Sequence, residues 1–175
     1  PDVRELARAL LAPAVDAGGR LDAVRDYAAP IPSTMIGDLI GLPRECHARC
    51  HVLSEISIAG GPAEAAAANA EISAMFEPLL DARRREPADD LVSALLTASV
   101  GGEPLTHEQL LGYLLHLVVA GNDTTANLIG TGVVHLARHP DLRAHLVAHP
   151  ERTGAFVEEL LRFDGPVQML FRTTT

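Results

Sequence analysis

The chain has 175 residues, of which 47% are hydrophobic, with a net charge of −9 and 2 cysteines. That is enough for one domain with a real core and too apolar for a disordered chain. The acidic balance argues against nucleic acid, whose phosphates need a basic face, and two cysteines do not make a disulfide scaffold. Lysine is absent, so all 14 basic side chains are arginine, and alanine is abundant. Both suggest GC-rich, bacterial coding. No basic start followed by an apolar run and a cleavage site is visible. The apolar run before Gly121 is interrupted by His116 and falls short of the ~18 residues that a membrane span needs. The expectation is a cytoplasmic protein with no membrane and no nucleic-acid partner.

In chain order, residues 1–16 carry Val3, Leu6, Ala7, Leu10, Leu11 and Val15 at helical spacing, and Gly18-Gly19 ends that helix. Residues 21–27 are short and polar. Pro30 and Pro32 act as a stop, after which Ser33 can cap a helix to about Ile40. Gly41-Leu42-Pro43 precedes a helix over 44–58, and Gly60-Gly61-Pro62 breaks it. Residues 63–85 read as a long helix with Ile72, Met75, Phe76, Leu79 and Leu80 on its apolar side. Pro87 closes it, and Asp89-Asp90 start a short helix over 91–98.

Thr106 and Gln109 form a capping box, in which each side chain satisfies the other's backbone donor. A long helix therefore runs from Thr106 to His139-Pro140, about 50 Å at 1.5 Å per residue. Apolar residues surround nearly its whole circumference, which predicts a helix enclosed on all sides. In its middle lies a polar island, Gly121-Asn122-Asp123-Thr124-Thr125, made of poor helix formers. So many broken local rules in one buried helix point to a task. Two more helices, over 141–148 and 153–163, follow Pro140 and Pro150. Residues 167–175 are β-rich and predict the start of a strand.

Asp123 and Thr124 place a carboxylate beside a hydroxyl, which together can pass protons to a ligand on the helix, while Gly121 permits close approach. The competing reading has Thr124 bonding the Ala120 carbonyl and Asp123 pairing with a buried arginine. Glu159 and Arg162, at i and i+3, share a helix face, a common surface pairing of small worth. Cys46-His47-Ala48-Arg49-Cys50-His51 has three residues between its cysteines, where covalent haem attachment needs two, and it lacks the further cysteines of a usual zinc set. No metal ligand is assigned. His116 and His135 are expected in the core or on a pocket wall. Asn122-Asp123-Thr124 matches a glycosylation sequon that a buried helix would hide, and Arg83-Arg84-Arg85 reads as a solvated helix end.

Together, Ala120-Gly121-Asn122-Asp123-Thr124-Thr125 and Glu159-Leu160-Leu161-Arg162, with Ala137-Arg138-His139-Pro140 and the residues around Phe163 to Gln168, resemble the cytochrome P-450 superfamily, especially its soluble bacterial members. The resemblance implies a mainly α, partial cytochrome P-450 fold: a long central helix, surrounding helices and the start of a small β-sheet. It implies a haem-thiolate monooxygenase that uses haem b, dioxygen and a ferredoxin-type electron donor to oxidise a small organic substrate. Asp123 would relay protons inward and Thr124 would hydrogen-bond the dioxygen. Ala120 and Gly121, with Thr125, would face the haem, and Arg172 would pair a haem propionate. Glu159 and Arg162 would form an ion pair holding the core beside the haem. Val167, Gln168, Met169 and Leu170, with the helices flanking Gly60-Gly61, would line the substrate pocket. The family's axial cysteine lies beyond the second motif, so residues 1–175 are expected to be an incomplete domain, lacking the first helices and the cysteine loop and inactive alone. The alternatives are a helical ligand-binding module and a non-functional fragment.

Overall fold

The computed structural model describes residues 2–16 and 18–169. Helix α1 (Val3–Asp16) is followed by a single π-helical turn (Ala23–Ala28), then α2 (Pro30–Ile40), α3 (Arg44–Ala59), α4 (Pro62–Arg85) and α5 (Leu91–Thr97). A two-stranded antiparallel hairpin, β1 (Ser99–Val100) with β2 (Glu103–Pro104), leads into α6 (His107–Arg138). Helix α7 (Pro140–Ala148), a 3-10 turn (Pro150–Arg152) and α8 (Thr153–Phe163) complete the order. The fold is mainly α, as expected. No helix among the described residues is long and apolar enough to cross a membrane.

The core lies where α3 and α4 pack on the first half of α6. Leu53, Ile72, Phe76, Leu80, Leu114 and Val118 are all at most 2% exposed, and Ile40 and Val92 join them from α2 and α5. The helix α6 enters this core through its capping box: Gln109 N donates to Thr106 Oγ1 at 3.2 Å and Thr106 N to Gln109 Oε1 at 2.8 Å. Its 32 residues span about 48 Å. The helices α2 and α3 cross at a point of close approach, where Gly37 leaves room for the His47 ring. The ring is pinned there by Nε2 donating to the Leu42 carbonyl at 3.0 Å.

Three expectations need correction. Helix α2 begins at Pro30, not after a proline stop. A proline in the first turn lacks only an N–H that would go unpaired there anyway, and its fixed φ suits the helix. Ser33 is thus inside the helix, and its hydroxyl donates back to the Ala29 carbonyl at 3.0 Å. Secondly, α6 is not enclosed all round. Leu110, Leu114, Val118, Asn122 and Ala126 form a buried stripe at i, i+4 spacing, while Gly112, Tyr113, His116 and Ala120 are exposed. Leucine and valine on both flanks of the stripe fill the helical wheel without every direction being covered. Thirdly, the small sheet is the hairpin before α6. Residues 167–169 form no strand, and the rest of the expected strand, 170–175, lies outside the described residues. The positive φ values of Gly101 and Gly102 (62° and 88°) turn that hairpin.

Candidate functional site

The polar island sits at mid-helix on α6, and helical geometry distributes its members around the axis. Asn122 points into the core and is 0% exposed. Its Nδ2 reaches Ser54 Oγ on α3 at 3.4 Å, and its Oδ1 has no partner. Asp123 and Thr124 are half-buried, and Ala120 and Thr125 are exposed. The Thr124 hydroxyl donates to the Ala120 carbonyl at 2.7 Å, the back-bond typical of mid-helix threonine. Asp123 Oδ2 accepts from Asn127 Nδ2 at 3.1 Å, so its partner is an amide one turn on and not a buried arginine.

The expected haem-facing residues divide between two neighbouring faces. His116 and Ala120, both exposed, and the half-buried Thr124 follow one another along one strip of α6. Gly121 and Thr125 instead line a groove of about 420 Å³ with Val3 of α1 and Ile31, Pro32, Met35, Ile36 and Leu39 of α2. A methyl at Gly121 would stand 3.4 Å from Ile36, an ordinary contact. The α3–α4 groove, of about 560 Å³, is walled by Leu53, Ile56, Ala59 and Ala68 and bridged by Arg49 to Glu71 at 2.7 and 2.8 Å; no α6 residue lines it.

Glu159 and Arg162 form a two-pronged ion pair at 2.8 and 2.7 Å on the outer face of α8. Hydrogen bonding between them lowers the Glu159 pKa and raises that of Arg162 from their ordinary values. Both are more than half exposed. Val167 and Met169 are 54% and 68% exposed, and Gln168 is exposed too. Leu170 and Arg172 lie outside the described residues. His116 is exposed, contrary to expectation. His135 does stand on a pocket wall, bonded through Nε2 to Asp164 at 3.1 Å.

Sequence reasoning passed over Asn122 as a residue in its own right. The signal was present: it occupies the polar place in the series Leu110, Leu114, Val118, Ala126. It also passed over an open groove of about 580 Å³ between the end of α6, α7 and α8, floored by Leu142, Leu146, Phe156 and Leu160. On α3, Cys50 is buried and its thiol donates to Met75 Sδ at 3.4 Å. Burial, with smaller contributions from Cys46 and Glu71, pushes the Cys50 pKa up to about 11. Among the described residues no group of three or more His, Cys, Asp or Glu side chains could hold a metal ion.

Residues 64–153, from α4 through the 3-10 turn, match the family model for cytochrome P450. The vitamin D(3) 25-hydroxylase of Pseudonocardia autotrophica is 38% identical over 169 residues, which are 95% of this chain and 42% of that protein. The cytochrome P450 monooxygenase PikC of Streptomyces venezuelae is 39% identical, over 96% of this chain and 41% of its own length. Among solved structures, cytochrome P450 CYP109Q5 from Chondromyces apiculatus superposes with a TM-score of 0.85 at 34% identity, covering 99% of this chain and 44% of that one. The LnmA cytochrome P450 hydroxylase of Streptomyces atroolivaceus gives 0.83 at 36% identity, covering 92% and 42%. The chain spans about two fifths of the length of these relatives. With the family match running through the polar island and the helical arrangement around it shared at this level, the chain belongs to the cytochrome P450 family, whose members use haem iron.

Proposed function

We propose that this chain forms the dioxygen-side wall of a haem-thiolate monooxygenase that inserts one oxygen atom from dioxygen into a small organic substrate. A ferredoxin-type protein supplies the electrons. The observation that carries the reading is the placement on α6 of the Thr124 hydroxyl and the exposed Ala120 along one strip, with the half-buried Asp123 carboxylate on the adjoining face. A flat macrocycle can lie against Ala120, where only a methyl protrudes. The fit extends to this wall alone. Cys50 is a poor candidate for axial ligand, because burial favours its neutral thiol, which donates to Met75 Sδ.

When bound, haem iron supplies the binding and reductive activation of dioxygen. The residues of this chain manage the protons. While its own proton is directed at the Ala120 carbonyl, Thr124 Oγ1 presents lone pairs to the strip and is an acceptor there. Rotation about χ1 releases that proton and makes Thr124 a donor. Asp123, its carboxylate steadied by the Asn127 amide, stands one residue back and can replenish the proton from solvent. Gly121 and Thr125 flank this strip from the α2 side. Arg172 is assigned to a haem propionate, and the Glu159–Arg162 pair to holding the core beside the haem. Val167, Gln168, Met169 and Leu170, with α3 and α4, are assigned to the substrate pocket. An acid–alcohol pair has a use where dioxygen must be protonated, which favours dioxygen over peroxide as the oxidant.

The test is Thr124→Ala in the protein encoded by the complete reading frame. Electron consumption continues while product per electron falls and hydrogen peroxide accumulates. A product yield per electron equal to wild type removes Thr124 from this role.

A further inference from the structure

Asn122 is the one fully buried side chain of the polar island, and its contacts make poor sense as packing alone. Ser54 Oγ spends its proton on the Cys50 carbonyl at 2.8 Å, so towards Asn122 it can only accept. That fixes Nδ2 as the atom facing Ser54 and leaves Oδ1 without a donor in an apolar setting between α3 and α6. A leucine would fill the same position without stranding a polar atom of its own, and Ser54 Oγ would keep its bond to the Cys50 carbonyl. The stripe to which Asn122 belongs, Leu110, Leu114, Val118 and Ala126, is otherwise apolar.

The stretch around it is the weakest helix in α6. Gly121 and two β-branched threonines lower its helical preference, and the Thr124 back-bond competes for the Ala120 carbonyl. A directed polar contact fixes the register of such a stretch more narrowly than apolar packing alone. Since successive residues project about 100° apart, anchoring Asn122 on α3 aims Asp123 about 100° and Thr124 about 200° away from it. Thr124 thus lands on the side of α6 opposite the α3 contact, on the strip it shares with Ala120.

We propose that Asn122 and Ser54 are positioning residues: their contact pins the register of α6 to α3 and so aims the Asp123–Thr124 pair. The inference rests on the monooxygenase reading above. Because α3 runs on into the Gly60-Gly61 turn and α4, the same contact links the aim of the pair to the position of that helical hairpin.

The experiment is a double-mutant cycle in the protein from the complete reading frame, with Asn122→Leu, Ser54→Ala and both together. The wild type is first shown to give product and a red-shifted Soret band with carbon monoxide, which tests the underlying reading separately. Each single substitution should raise the peroxide-to-product ratio at least about threefold. The double variant should be no worse than either single one, because both remove the same contact. The thermal midpoint of Asn122→Leu should equal or exceed that of wild type. Ser54→Ala removes the acceptor without adding bulk, so it keeps the test open if the leucine variant folds poorly. An unchanged ratio in the single variants, or effects that multiply in the double one, overturns the proposal.

Discussion

Gly37→Ala probes the packing that holds α2 and α3 behind the site. A β-carbon at position 37 falls inside the His47 ring, against Nε2, Cδ2 and Cε1 at once. The ring cannot swing aside freely, because Nε2 is bonded to the Leu42 carbonyl and the residue is only 6% exposed. Forcing a methyl into a filled interior costs about 1–3 kcal/mol. Displacing the ring strands the Leu42 carbonyl and costs about 1 kcal/mol more. Against this, alanine is about 1 kcal/mol better than glycine within a helix. The net is a loss of about 1–3 kcal/mol, which for a chain of this length lowers the thermal midpoint by about 3–10 °C. The assay is thermal unfolding followed by far-ultraviolet circular dichroism at fixed pH. His47→Ala in the same chain supplies the control, and there the added methyl should cost far less. A midpoint for Gly37→Ala at or above wild type refutes the reasoning, since helix preference would then have outweighed the clash.

Two further outcomes follow from the same structure. Burial raises the Cys50 pKa from its ordinary 9.0 to about 11, so the neutral thiol is favoured in the folded state. The stability this contributes is fully present below pH 9.0 and is lost as pH rises through about 11. At pH 8 a maleimide should therefore label Cys46, which is partly exposed, well before Cys50. Equal labelling rates in the folded protein would contradict the placement of Cys50. Asp123→Asn keeps the shape of the side chain and the contact region of Asn127 but removes the titratable group. Turnover should fall about a hundredfold, with substrate affinity within about twofold of wild type. Turnover left intact would exclude Asp123 as the proton donor.

What could be read in the sequence depended on whether the cause was local. The capping box at Thr106 and Gln109, the glycine breaks at 60 and 61 and the two short helices after Pro140 and Pro150 are set by neighbouring residues, and all are in the structure. Pro30 and Pro32 misled because proline breaks a helix interior but suits its first turn, and sequence alone did not say which was present. The exposure of one side of α6 depends on what packs there. Periodicity cannot report that when both flanks of the buried stripe are also apolar. The island was visible as chemistry, and the spacing of Asn122 within the apolar stripe was legible, but its partner was not, because Ser54 lies 68 residues away in the sequence. The groove beside Leu142, Phe156 and Leu160 depends on how α7 is placed against α6 and α8. Gly132 sets the approach of α8 to α6, where a β-carbon would stand 3.2 Å from Leu160.

The most direct test of the central claim is the absorption spectrum of the protein from the complete reading frame, reduced and then exposed to carbon monoxide. The account predicts a strongly red-shifted Soret band, the signature of haem iron held by a thiolate, in both wild type and Thr124→Ala. A protein that takes up no haem, or whose band stays unshifted, would contradict it.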